Sequence, residues 1–239
     1  VIPLVAVAHG SRDPRSAATV RALARRVSAA APELDVRVSF LDLSEPLVTD
    51  VLRDLVREGH RSAVVVPLLL GSAFHARVDL PALVAQVPGL RVTIADVLGA
   101  ALSDVAFDRL AAVADVDDPS LGVVLAAVGS SRAAANEAVA SLARSWQARH
   151  GFRAVAAFAS AAKPDVPAAM AKLRARGARR IGVASWFLAP GLLPDRIASQ
   201  ARAVDPSVAL AAPLADDPRV AELVLERYAT ALAGAVRSA

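Results

Sequence analysis

The chain repeats itself. "FLDLSEP" at 40–46 returns as "FASAAKP" at 158–164, an offset of 118 residues. "LVREGHRSAVVVPLLL" at 55–70 returns as "LRARGARRIGVASWFL" at 173–188 with the same offset, and Gly59 falls on Gly177. "AVAHGSR" at 6–12 aligns with "AAVGSSR" at 126–132, which sets Arg12 on Arg132 at an offset of 120. A near-constant spacing across three segments of a 239-residue chain implies two copies of one unit. Two domains follow, 1–118 and 119–239, joined near "DVDDPSLG" at 115–122, whose Asp, Pro, Ser and Gly suit a linker.

Within each copy, short β-rich runs alternate with helical patterns. In the first copy the strand candidates are Leu4–Ala8, Val36–Leu41, Ala63–Leu70 and Arg91–Ala95. Their unbroken apolar character predicts strands covered on both faces, as in a parallel sheet. Asp13-Pro14 reads as an N-cap followed by proline at the first helical position, with Val20, Leu23, Ala24 and Val27 at helical spacing behind it. Ser44-Glu45-Pro46 reads as the opening of the next helix. The βαβα order predicts an α/β, doubly wound, parallel-sheet architecture.

Composition narrows the chemistry. There is no cysteine, so disulfides, Cys-ligated zinc and Cys-ligated iron–sulfur clusters are excluded within the chain. The net charge of +4 rests almost wholly on Arg and shows no dense basic stripe. An anionic small molecule suits it better than a nucleic acid. The longest apolar runs, at 63–70 and 121–128, fall far short of the roughly 20 residues that cross a bilayer. No signal peptide is visible, so a cytoplasmic protein without a membrane partner is expected.

Ligands of open α/β sheets bind beyond the carboxyl ends of the strands. Strand one ends at His9, strand two at Asp42 with Glu45 a turn further on, and strand three runs into His75, Arg77 and Asp79. Two imidazoles and a carboxylate suit a divalent transition metal such as Fe, Co or Ni. Imidazoles also accept protons near neutrality. In the second copy Gly129 stands opposite His9, Ser160 opposite Asp42, Lys163 opposite Glu45 and Leu193 opposite His75. The ligands are lost there, so one active site built mostly from the first copy is expected.

"AHGSRDP", "FLDLSEP" and "VVVPLLLGSAFHARVDLP" resemble the sirohydrochlorin chelatases, the type II family that inserts iron or cobalt into sirohydrochlorin. The resemblance covers the whole chain, and "APGLLPDRI" at 189–197 looks like the degenerate second half of its long, two-repeat bacterial members. It implies the chelatase fold, two flavodoxin-like subdomains with a cleft between them. It implies His9 and His75 as the metal-binding histidines, and Asp42, where many members carry Glu, as third ligand or proton acceptor. Fe2+ or Co2+ would be substrate, with Ni2+ a further candidate, serving sirohaem or cobalamin synthesis. Sirohydrochlorin carries eight carboxylates, for which Ser11, Arg12, Arg77, Arg132 and Arg196 are the candidate contacts; Ser11 and Arg12 lie at a helix N-terminus, a natural anion site. The chain lacks the His-rich or Cys-containing tail of some members, so no iron–sulfur cluster is expected. Both copies lie in one chain, so a monomer is expected.

Blander roles compete at several positions. Glu45 suits a helix dipole and Asp79 suits an N-cap. His60 reads as a surface residue, His150 as part of a helix C-terminus before Gly151, and Trp146 and Trp186 as core or subdomain-interface residues, with the cleft wall as the alternative for Trp186. A protohaem or coproporphyrin ferrochelatase shares the implied fold. A metal or tetrapyrrole carrier using the same residues is the reading of a different class, and turnover separates it. A hydrolase using Ser11 and His9 lacks the G-x-S-x-G elbow.

Overall fold

Strand β1 (Leu4–Ala8) is buried at every residue, and it pairs in parallel on both sides. Leu4 sits opposite Val36 of β2 (Val36–Phe40) and opposite Val64 of β3 (Ser62–Pro67), which in turn pairs with β4 (Arg91–Ile94). The order β2-β1-β3-β4 is the start of the flavodoxin-like order. The second sheet repeats it as β6-β5-β7-β8, from β5 (Leu121–Ala127), β6 (Arg153–Phe158), β7 (Arg180–Ser185) and β8 (Ala209–Leu210). This computed structural model describes residues 1–71 and 78–237. His75 and Arg77 lie outside the described residues.

Helix α1 (Pro14–Ala30) begins as its sequence predicts. The Asp13 side chain accepts from the Arg15 N–H, and Val20, Leu23, Ala24 and Val27 are buried. The α2 start differs. The helix runs Val48–Arg57 from an N-cap at Leu47 with no side-chain cap, and Ser44 is used elsewhere. Strand ends also differ: β2, β3 and β4 stop at Phe40, Pro67 and Ile94, short of the expected Leu41, Leu70 and Ala95. β1 itself ends at Ala8, and Gly10 turns the chain away at φ 97°. Just beyond β3 and β4 single backbone bonds follow, Leu68 N–H to Val7 O and Ala95 N–H to Val65 O, each at 2.8 Å.

The chain forms two compact units, Val1–Ala101 with Ala215–Ala239, and Leu102–Leu214. These differ from the expected 1–118 and 119–239, because each copy places its last helix in the other unit. Helix α8 (Pro218–Arg237) belongs to the first unit, where the Tyr228 hydroxyl donates to the Ile2 carbonyl at 2.7 Å. Helix α4 (Ser103–Ala111) belongs to the second. There Leu110 reaches Gly182 of β7 so closely that a Cβ on that glycine would lie 2.9 Å from the leucine Cδ1. The first unit also holds α3 (Leu80–Val84); its core joins Val5, Val7, Leu52, Leu55 and Val65. The second unit holds α5 (Ala133–His150), α6 (Val166–Ala175) and α7 (Leu192–Val204), around Val124, Ala157, Met170, Leu173 and Ile197. Among the described residues no helix is long and apolar enough to cross a membrane.

Trp146 and Trp186 are core residues, as expected, and the Trp146 N–H donates to Ser103 at 2.8 Å. His150 ends α5 before Gly151, which is left-handed, and stacks on Phe107 at 3.9 Å. Burial pushes the His150 pKa below its ordinary value, the charge of Arg149 adds to this, and Asp104 opposes it. The unfolded chain takes up that proton near pH 6.5. The stacked neutral ring therefore stabilises the fold fully above that pH and progressively less as the pH falls below it. His150→Phe keeps the stack and removes the proton. Urea denaturation at pH 7.5 and 5.5 should show a smaller loss of stability on acidification in the variant; an equal or larger loss would refute this role.

Candidate active site

The backbone pairing of β1 and β2 runs on past their ends, to His9 on one side and to Leu41 and Asp42 on the other. The Leu41 N–H donates to Ala8 O at 2.9 Å, and the Asp42 N–H donates to His9 O at 3.0 Å. His9 and Asp42 are thus neighbours at the C-terminal edge of the sheet, and both are exposed. The next residue has no freedom: a Cβ on Gly10 would sit 1.6 Å from the Asp42 carbonyl oxygen. Beyond it, Ser44 clamps the two loops together. The Ser11 N–H donates to the Ser44 hydroxyl at 3.1 Å, and that hydroxyl donates to Ser11 O at 3.0 Å. The Ser11 hydroxyl accepts from the Asp13 N–H at 3.1 Å in the turn into α1. The Arg15 guanidinium holds the Asp13 carboxyl below the usual carboxylate range.

The carboxylates are placed unequally. Asp42 Oδ1 accepts from the Leu43 N–H at 2.7 Å, so one of its oxygens is tied to its own turn. Glu45 is exposed, and its carbonyl accepts from Arg21 at 2.7 Å. Among the described residues His9, Asp42 and Glu45 do not form a three-ligand group. The one group that does, Asp35, Glu58 and His60, lies at the opposite edge, before β2 and β3. Arg37 donates there to Asp35 at 2.8 Å and to Glu58 at 2.8 Å, and so supplies the positive charge itself. Those bonds hold the Glu58 carboxyl below its usual range.

The second unit preserves the frame of this edge. The Ser160 N–H donates to Val128 O at 2.9 Å, the counterpart of the Asp42 to His9 bond. Val128 therefore stands opposite His9, Gly129 opposite Gly10, Ser131 opposite Arg12 and Arg132 opposite Asp13. The sequence alignment that set Gly129 on His9 and Arg132 on Arg12 is one residue out of register. It was drawn to the matching arginines, whereas the ladder fixes the pairing. Ser44 has become Ala162, and Asn136 of α5 replaces its clamp: Oδ1 accepts from the Ser130 N–H at 2.8 Å and Nδ2 donates to Ser130 O at 2.7 Å.

The described candidate arginines fall at different elements. Arg12 is exposed just before α1. Arg132 occupies the N-cap position of α5 with no side-chain cap, its N–H bonded to the Ser130 hydroxyl at 3.1 Å. Arg196 lies on α7 and donates to Ala159 O at 3.3 Å. It borders an open pocket of about 550 Å³ that Ser160, Lys163, Asp165 and Gln200 also line. Ser44, Asn136 and Lys163 were not singled out as site residues from sequence. For Lys163 a signal existed, because it replaces Glu45 at the repeat offset.

The sequence profile of the CbiX family matches twice, over residues 3–112 and 122–231. A sirohydrochlorin cobaltochelatase of Methanopyrus kandleri is 32% identical over 88 residues, 37% of this chain and 62% of that protein, so the alignment spans less than two thirds of the relative. A sirohydrochlorin ferrochelatase of Priestia megaterium is 26% identical over 202 residues, 80% of this chain and 74% of its own. The structure of SirB from Bacillus subtilis with Fe3+ covers 94% of this chain and 93% of its own, with a TM-score of 0.73 and 23% identity. The sirohydrochlorin chelatase SirB from Bacillus subtilis subspecies spizizenii, in complex with cobalt, covers 96% and 94% with a TM-score of 0.75 and 22% identity. At these identities the two structures establish a shared fold. With both halves matched and the sheet order repeated in each, the chain belongs to the CbiX family.

Proposed function

We propose that the protein is a sirohydrochlorin chelatase, an enzyme that inserts Fe2+ or Co2+ into sirohydrochlorin, acting as a cytoplasmic monomer. The family match across both repeats carries this reading, and relatives named as sirohydrochlorin chelatases support it. His9 and His75 hold the incoming metal. The exposed position of His9 at the end of β1 suits a ligand that must first accept and then release its ion. As the divalent ion enters the ring, two pyrrole N–H protons leave; His9 and Asp42 are the proposed acceptors. Asp42 has one oxygen outside its turn bond for this purpose. Ser11, Arg12, Arg77, Arg132 and Arg196 are proposed to hold the carboxylates of the tetrapyrrole, arginine being suited by its fork geometry.

Anaerobic incubation of the protein with sirohydrochlorin, alone and with Fe2+ or Co2+, tests this through the visible spectrum. Insertion faster than the protein-free rate is the expected result, and the faster metal suggests the pathway. Binding of sirohydrochlorin without acceleration would replace the enzyme by a carrier. Absence of both binding and turnover would overturn the assignment.

A further inference from the structure

The loop after β2 and the loop after β6 are the same structure with opposite charge. Leu43 and Ala161 are both left-handed, at φ 60° and 55°, and each loop has a cis X-Pro bond, Glu45-Pro46 and Lys163-Pro164. The Phe40 N–H donates to Pro46 O at 3.0 Å, and the Phe158 N–H donates to Pro164 O at 2.9 Å. The Ser44 N–H donates to Asp42 O at 2.8 Å, and the Ala162 N–H donates to Ser160 O at 2.7 Å. On this shared backbone Asp42 becomes Ser160 and Glu45 becomes Lys163. Two negative charges are replaced by one positive charge.

The basic loop opens on the pocket of about 550 Å³, and Arg196 brings a second cation to it from α7. Among the described residues no carboxylate pairs with Arg196; its one bond is the 3.3 Å contact to Ala159 O. The single anion at the pocket is Asp165. It caps α6 by accepting from the Ala168 N–H at 3.1 Å and pairs with Lys163 at 2.5 Å. Two cations against one anion leave the pocket positive, and Ser160 adds a hydroxyl to its wall. Guanidinium and ammonium groups around an open concavity suit a carboxylate.

We propose that this pocket is a carboxylate subsite, in which Lys163 and Arg196 hold acidic side chains of the tetrapyrrole. The proposal rests on the chelatase reading. It assigns opposite tasks to equivalent loops: the acidic one serves the cation and the leaving protons, the basic one serves the anionic rim of the substrate. Lys163 and Arg196 are binding residues and take no part in proton transfer.

The test is titration of metal-free sirohydrochlorin by fluorescence into the intact chain and into Lys163→Gln, Arg196→Gln and the double variant. Thermal melts confirm folding, and Co2+ binding without tetrapyrrole is measured in parallel. Each single change should weaken tetrapyrrole binding about tenfold, the worth of one charge-assisted hydrogen bond, and reduce its salt dependence, with Co2+ affinity unchanged. Asp165→Asn keeps a capping side chain but removes the competing anion, so it should bind about threefold tighter. A double variant that binds like the parent, while the parent binds and turns over, would overturn the subsite and leave the chelatase reading standing. A parent that neither binds nor turns over sirohydrochlorin would overturn both.

Discussion

Gly10→Ala should destabilise the protein by about 3 kcal/mol or more, lower Tm by about 6–12 °C, and remove metal insertion with it. The left-handed backbone at φ 97° alone costs an L-residue about 1–2 kcal/mol. The larger part is steric. The new methyl would sit 1.6 Å from the Asp42 carbonyl, a backbone atom that cannot swing aside. Relief requires the His9 and Asp42 loops to part, which breaks the 3.0 Å bond that holds them adjacent. Gly59→Ala is the matched control: its φ of 90° is similar, but nothing lies within 4 Å of the added methyl. It should cost only the conformational part and leave activity near that of the parent. Equal melting temperatures and rates for the two variants would refute the steric account.

His9→Ala should lower the rate of metal insertion by about a hundredfold or more, the range set by loss of a general base, with further loss if the same ring holds the metal. Stability should change by less than about 0.5 kcal/mol, because the side chain is exposed at the strand end. Initial rates with Co2+ and sirohydrochlorin, beside a urea denaturation curve, separate the two effects. A variant that folds and inserts metal at the parental rate would remove His9 from the mechanism. Loss of Co2+ binding together with turnover would favour the ligand role, while loss of turnover with binding retained would favour proton acceptance.

Much of the architecture was legible in local pattern. Fully apolar runs such as Leu4–Ala8 marked strands covered on both faces, and Asp13-Pro14 marked the start of α1 by cap and proline together. Ser44 misled, because a serine near a helix start reads as a cap, whereas its partner is Ser11, 33 residues away in sequence. The register of the repeat slipped for a related reason: residue identity at Arg132 outweighed a ladder that sequence does not display. The exchange of α4 and α8 was invisible, since an amphipathic helix carries no record of which sheet it covers. For the proposed site, asking what ends each strand picked out His9 and Asp42, which the structure places side by side at the sheet edge. Lys163 read as a lost ligand in sequence, and the structure sets it on the wall of a pocket with Arg196. His75 and Arg77 remain assignments from sequence.

The exchange of terminal helices also sets an order of synthesis. The second unit, Leu102–Leu214, is continuous and has all its residues once Leu214 has been made. The first unit begins at Val1 but is completed by Ala215–Ala239. The nascent chain must therefore keep Val1–Ala101 partly uncovered while the middle unit forms behind it. Completion of the unit that holds His9 waits on Ala215–Ala239, which are made after the middle unit has all its residues. A premature stop near residue 215 would spare the unit Leu102–Leu214 and disable the one that holds His9.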